Sequence, residues 1–238
     1  MNVSQALVTR KTCRAFKPDP VSEETIREIL ETAKRAPSGG NLQPWHVHVI
    51  AGDVKDELIK RVFEKMPDQP MGEGPEYDIY PKGLKEPYKS RRFEIGELMY
   101  GTLGIERDDK AGRLMWFANN FKFFGAPVAM VFSIDRQMCE GQWSDLGMFI
   151  QSIMLLAREY GLHTAPQEAW AIWQGTIREL LDMGENSVLT LDKRVEDPVE
   201  LYIGDRLVAR GQLEELDGEN EGQLAVRLTE IANTQNSL

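Results

Sequence analysis

A single mixed helix-and-strand domain is the architecture that this 238-residue sequence predicts. Three observations carry it. Apolar residues recur at helical spacing, first at Ile26, Ile29, Leu30 and Ala33. Two strand-type runs lie among the helices, one at Val47, Val49 and Ile50 and one reading "PVAMVFSI" from Pro127. The stretch from Asp145 to Tyr160 is apolar nearly all round, which suits the middle of a core or a subunit seam. A chain of this length can bury a real core.

In chain order, Val3 to Val8 reads as a short helix that ends in the basic turn Arg10-Lys11-Thr12-Cys13-Arg14. Ser22 is an N-cap followed by Glu23 and Glu24, acids that suit the positive end of a helix dipole. That helix runs as far as Ala36, ahead of Pro37. The strand at Val47 stops at Gly52, and Lys55 to Lys65 is an amphipathic helix. Residues 66–87 carry five prolines, and a loop this long is usually a lid or a binding loop; the expected lid insertion covers residues 66–92. Helices are expected over Arg91 to Leu103 and Asp108 to Phe117, then the buried strand from Pro127 and the apolar helix, which Gly161 stops. Beyond it come a helix from Thr176 to Leu181, strands at Ser187 to Leu191 and Val199 to Ile203, and a helical tail from Gly222 to Ile231. The whole is expected to be one domain, residues 1–238, with a C-terminal arm over 199–238.

Composition narrows the function. The net charge of -10 argues against nucleic acid or an anionic membrane as the main partner, though not against a local basic pocket. No run approaches a spanning helix and the N-terminus has no apolar leader, so the chain is expected to be cytoplasmic. Cys13 and Cys139 are too few for a disulfide framework or a zinc site, and no metal is expected. His46 and His48 share a strand face, which makes a metal pair conceivable and a plain surface pair the simpler reading.

Two constellations stand out. Arg10, Lys11, Thr12 and Arg14 offer two guanidinium forks, an ammonium and a hydroxyl, a set suited to a phosphate and a second electron-rich group; the bland alternative is a solvated turn. In the loop from Pro37 to Gln43, Ser38, Gly39 and Gly40 let a ligand approach backbone closely, while Asn41 and Gln43 can read a polar ring edge. The alternative there is an ordinary helix-to-strand turn. No G-x-S-x-G, H-E-x-x-H or P-loop is present.

Taken together these residues resemble the nitroreductase family of FMN-dependent enzymes. Arg10-Lys-Thr-Cys-Arg14-Ala-Phe16 resembles its R-x-S-x-R-x-F opening, and Pro37 to Trp45 its P-S-x-x-N-x-Q-P-W loop. Asn120 to Pro127, Asp145-Leu-Gly147 with its apolar helix, and Pro166-Gln167-Glu168-Ala169-Trp170 follow in the family's order, and the nearest likeness is to its nitrobenzoate-reductase branch. One departure is the stretch "VLTLDKRVEDPVELYIGDR", which stands where that branch carries a Gly-Tyr pair.

The resemblance implies an α+β, nitroreductase-like fold: a central, mostly antiparallel sheet surrounded by helices, in a domain-intertwined homodimer with FMN at the interface. It implies NADH or NADPH as reductant, a ping-pong hydride transfer and a small nitroaromatic or quinone acceptor, with no catalytic side chain beyond the flavin itself. Arg10, Lys11, Thr12, Arg14, Pro37, Ser38, Gly39, Asn41, Gln43, Asn120, Pro166, Gln167, Glu168 and Arg206 would bind the cofactor, with Lys193 or Arg194 as substitutes for Arg206. Tyr88, Lys89, Arg92 and Trp116 would meet the acceptor. Reductive dehalogenation, flavin-consuming oxidation, or flavin sensing without turnover are the alternatives on the same fold.

Overall fold

The computed structural model describes residues 1–181, 199–203, 206–215 and 224–231. The chain divides into two compact units, Met1–Glu185 and Asn186–Leu238.

The first unit is helix-rich around a small antiparallel sheet. Its elements are α1 (Val3–Thr9), α2 (Glu23–Ala33), β1 (His46–Ala51), α3 (Gly52–Lys65), α4 (Tyr88–Thr102), α5 (Lys110–Ala118), β2 (Val128–Ser133), α6 (Glu140–Glu159) and α7 (Gln174–Leu181). Short 3₁₀ turns at Gly39–Asn41, Asn119–Gly125 and Ala169–Trp173 complete it. Local rules place the ends of the helices. Asn2 and Gln5 form a capping box ahead of α1, and the Ser22 hydroxyl accepts the Thr25 N–H ahead of α2.

β1 and β2 pair antiparallel from His46 opposite Ser133 to Ala51 opposite Val128. Both faces of this ladder are covered, as the continuous apolar run of β2 requires. Ile50, Ala129 and Val131 pack toward Leu58, Val62, Phe121 and Trp173. Val47, Met130 and Phe132 pack the other way, toward Ile29, Phe149 and Ile153. Strand alternation thus sends successive side chains into two separate cores. α6 contributes the stripe Leu146, Phe149, Ile153 and Ala157 to the second core, while Trp143 and Met148 on its other side stay exposed in the single chain. Among the described residues no helix is long and apolar enough to cross a membrane.

The second unit is a three-stranded antiparallel sheet of β3 (Val199–Ile203), β4 (Arg206–Glu215) and β5 (Leu224–Ile231), in the order β3-β4-β5. The helical tail expected from Gly222 is therefore a strand. Leu224, Val226 and Leu228 alternate with period two, and pairing of Leu213 with Val226 uses that alternation in a ladder that an isolated helix could not supply. β4 was not anticipated, and the strand expected at 187–191 lies outside the described residues.

The long segment after α3 is tied down at its near end. Gly72 takes a left-handed φ of 74°, and a Cβ there would sit 2.7 Å from the Ile172 carbonyl oxygen, so only glycine fits. The Glu73 and Gly74 N–H groups both donate to that carbonyl. The Glu73 carboxylate accepts from the Thr176 N–H (2.9 Å), the Thr176 hydroxyl (2.6 Å) and Lys65 Nζ (3.0 Å). Glu76 accepts from Arg136 at 2.7 Å and pairs with Arg178. The expected lid is thus a strap over residues 72–77, and residues 88–92 already belong to α4.

Burial opposes ionisation of Glu73, but the hydrogen bonds from Thr176 and Lys65 outweigh it and hold the carboxyl below its ordinary range. A carboxyl with a depressed folded-state pKa stabilises fully above its unfolded value and loses that contribution as pH falls through the folded value. Glu73→Gln should therefore be less stable than wild type at pH 7, with the gap closing in acid below about pH 4.5. Glu73→Ala should cost about 1–3 kcal/mol, since Thr176, fully buried, loses the acceptor of its N–H and its hydroxyl proton. Urea unfolding of both variants against pH checks this; a gap that does not narrow in acid sinks it.

Candidate active site

The Pro37–Gln43 loop leaves α2 and enters β1 through a contorted backbone. Gly40, Asn41 and Gln43 have φ of 58°, 56° and 47°, a region in which glycine and asparagine are at home and glutamine is not. The loop closes on itself: the Gln43 N–H donates to Ser38 Oγ (3.0 Å) and Gln43 Nε2 to Asn41 Oδ1 (3.0 Å). It is tethered outward by the Gly39 N–H, which donates to Asp145 Oδ2 at 3.1 Å. Lys34, Arg35, Pro37, Ser38, Asn41 and Gln43 line a cleft of about 490 Å³, so cations stand beside amide and hydroxyl groups.

The basic turn is held elsewhere. Thr12 forms an isolated bridge with Thr164, and the Cys13 N–H donates to the Thr164 carbonyl at 3.1 Å. Phe16 N–H donates to the Phe124 carbonyl at 3.1 Å, docking the end of the turn on the segment before β2. Arg158, at the C-terminal end of α6, reaches Thr9 Oγ1 and donates to the Leu162 carbonyl at 2.6 Å. His163 is held below its ordinary pKa, first by burial and then by Arg158 and Lys11, so the surroundings of the turn are cationic. Thr164 Oγ1 is buried with no hydrogen-bond partner among the described residues. A cationic turn beside an unsatisfied hydroxyl fits a bound phosphate.

The 163–168 loop is joined to Asn120 as well. Gln167 Nε2 donates to the Asn120 carbonyl (3.1 Å) and to its Oδ1 (3.0 Å), and Trp170 Nε1 donates to the same carbonyl (3.1 Å). Tyr77, from the strap, packs edge-on against Trp143 at 5.1 Å and lies near Glu168; burial first, then the Glu168 carboxylate, raises its pKa. Arg10, Lys11, Thr12, Asn120 and Gln167 are therefore brought into one neighbourhood, and Pro37 to Gln43 into another. The basic turn attaches to α6 at Arg158 and the Pro37–Gln43 loop at Asp145. Thirteen residues (158 − 145) at 1.5 Å each put them about 20 Å apart along the helix. Arg206 lies in β4 of the second unit.

Of the expected acceptor residues, Lys89 and Arg92 line a second cleft of about 490 Å³ with Leu84, Phe93 and Glu97. Arg92 stacks over the Tyr80 ring at 3.8 Å. Tyr88 is exposed, and Trp116 packs on Phe124 instead, with ring centroids 6.0 Å apart. Cys13 and Cys139 are free thiols, and among the described residues no cluster of His, Cys, Asp or Glu could hold a metal ion. Sequence reasoning passed over Thr164, Tyr77 and Arg158. None carries a local signal, because each gains a partner from a distant segment: Thr164 from Thr12, Arg158 from Thr9, and Tyr77 from Trp143 and the neighbourhood of Glu168.

The model of the Nitroreductase family matches residues 7–191. A second model, the Type III flagellar switch regulator (C-ring) FliN C-term, matches residues 173–233. A 4-nitrobenzoate reductase of Pseudomonas putida is 37% identical over 180 residues, covering 76% of this chain and 78% of that protein. Among solved structures, the FMN- and NADPH-dependent nitroreductase NfnB from Sphigopyxis sp. strain HMH superposes with a TM-score of 0.76 at 46% identity, over 78% of this chain and 83% of that one. The FMN-dependent nitroreductase NfnB of Mycobacterium smegmatis, in complex with NADPH, gives 0.71 at 28% identity, over 76% and 82%.

The Gln167 bridge is a point of failure for this site. Gln167→Leu keeps the size but removes both bonds to Asn120, and should lower stability by about 1–2 kcal/mol, roughly 2–4 °C in Tm for each. Thermal unfolding followed by circular dichroism measures it; an unchanged Tm would show that the bridge contributes nothing.

Proposed function

Because the chain belongs to the nitroreductase family, we propose that it is an FMN-dependent NAD(P)H oxidoreductase that reduces nitroaromatic acceptors, nitrobenzoate-like acids foremost. The observation that carries the cofactor reading is the cationic turn Arg10–Arg14 seated against Thr164, whose buried hydroxyl has no partner among the described residues. When bound, FMN supplies a centre that takes a hydride from NADH or NADPH and passes it to the acceptor. Arg10, Lys11 and Thr12 would hold its phosphate through charge-assisted bonds. Arg14 would favour negative charge developing at the ring edge. Ser38, Asn41 and Gln43 would read the ring's polar edge, and Pro166 to Glu168 would border its reactive face, held in place by Asn120.

We infer a homodimer with each cofactor site built from both chains. The separation of the turn's and the loop's attachment points by about 20 Å along α6 supports it, because a turn and a loop held apart in one chain are easily brought together when the loop comes from a second. Exposed apolar side chains also support it: Val3, Leu7 and Val8 on α1, and Phe93, Ile95 and Leu98 on α4, a helix with no buried residue of its own.

For residues 186–238 we infer a separate module of the flagellar-switch type rather than an arm completing the flavin site. The nitroreductase match ending at residue 191 and the second match across 173–233 favour it, as does a compact sheet whose strands pair among themselves. On this reading Arg206 is not a phosphate ligand.

Purified protein should be yellow and release FMN rather than FAD on denaturation. Arg10→Ala should weaken FMN binding at least tenfold, the worth of a charge-assisted bond. Arg14→Ala should make the flavin harder to reduce, and Arg206→Ala should leave the affinity unchanged. A colourless protein that FMN cannot reconstitute refutes the cofactor. Loss of affinity in Arg206→Ala overturns the separate-module reading and assigns that residue to the phosphate.

Bleaching of the flavin by NADH or NADPH in stopped flow separates an enzyme from a sensor. The acceptor cleft beside Lys89 and Arg92 is positively charged, so 4-nitrobenzoate should be preferred over its methyl ester by roughly ten- to a hundredfold in kcat/KM. Lys89→Ala or Arg92→Ala should narrow that ratio. Equal rates for acid and ester in the wild type would remove the carboxylate from the substrate class.

A further inference from the structure

We propose that Asp145 and Phe149 are positioning residues that clamp the 39–45 loop at both ends onto α6, and so preset the shape in which it meets the cofactor. The inference rests on the reading that this loop faces FMN. Its backbone is unfavourable on its own account: two side-chain-bearing residues, Asn41 and Gln43, hold a left-handed φ on either side of Leu42. Such conformations persist only where the surroundings over-determine them. The hydrogen bonds inside the loop do not suffice, since Gln43 to Ser38, Gln43 to Asn41, Asn41 to Ser38 and Leu42 to Gly39 all move with it.

Two contacts reach outside. The Gly39 N–H donates to Asp145 Oδ2 at 3.1 Å. Six residues on, the Trp45 ring lies flat on Phe149, with centroids 4.6 Å apart and planes 10° from parallel. Asp145 and Phe149 are four positions apart on one helix, so they project from the same face one turn apart. Both ends of the loop are therefore referred to one rigid surface. Asp145 is only 5% exposed, in a stripe otherwise made of Leu146, Phe149, Ile153 and Ala157. A carboxylate placed there is costly unless it is hydrogen-bonded, and the partner it has is the loop's own backbone. An apolar residue would pack as well and would leave Gly39 untied.

The test uses the full chain with Asp145→Leu, Asp145→Asn and Phe149→Leu. Hydrogen exchange of the peptide spanning residues 39–45 reads the clamp without any cofactor. Titration with FMN, followed by flavin fluorescence and the shape of the visible band, reads its consequence. Asp145→Leu should accelerate exchange in the loop and weaken FMN at least tenfold, whereas Asp145→Asn, whose carbonyl oxygen still accepts from Gly39, should restore both. Phe149→Leu should accelerate exchange at the Trp45 end. Wild-type exchange in Asp145→Leu overturns the proposal, and so does an Asp145→Asn as impaired as Asp145→Leu. Should Asp145→Leu not fold, wild-type exchange in Phe149→Leu overturns it instead. A wild type that binds no FMN defeats the flavin reading, and the exchange result still decides the clamp.

Discussion

A two-stranded ladder is marginal in water, and β1 with β2 holds together only because each face is buried against a different group of helices and turns. That double burial orders the first unit. It requires apolar residues at successive positions of β2, and it leaves the polar chemistry to the segments that enter and leave the strands. The ladder spans six residue pairs, about 17 Å from end to end at 3.4 Å per step. The 37–45 loop feeds one end, beside Ser133. The Asn119–Gly125 turn, with Phe16 docked on it, feeds the other.

The strain in the backbone follows the same geography. Among the described residues, the side-chain-bearing ones with left-handed φ are Asn41, Gln43, Phe123 and Phe124, and all four sit in those two feeding segments. Rigid scaffold on one side and an unfavourable loop on the other is how a fold holds a surface ready for a ligand before the ligand arrives. At the 119–125 end the aromatic cluster does the holding, with Phe123 stacked on Trp170 at 4.4 Å. At the 37–45 end a buried carboxylate and an aromatic stack share it.

The strap over residues 72–77 adds a third constraint. Glu73 joins α3, the strap and α7 through Lys65 and Thr176, and Tyr77 reaches the 163–168 loop through Glu168. What began as a connection too long for a turn is fastened at its near end to the wall of the site. The part nearer α4, with Tyr80 under Arg92, lies at the surface.

The sequence by itself determined the elements whose cause is local or periodic. Helical spacing at Ile26, Ile29 and Ala33, the Ser22 cap and the apolar run after Pro127 all correspond to observed elements, and the motifs around Arg10 and Pro37 named the family. The tail from Gly222 shows the limit: four apolar residues in ten fit a helix poorly and a strand well, but pairing with β4 decides it, and β4 was not foreseen. Likewise the 66–92 segment showed its length and not its anchor, since Glu73 meets Thr176 across 103 positions of chain. Which neighbourhood each binding residue joins is a matter of contacts between distant segments, and periodicity carries no information about those. Tertiary structure alone set the basic turn against Thr164, tied Gly39 to Asp145, and anchored the turn and the loop at different points of α6.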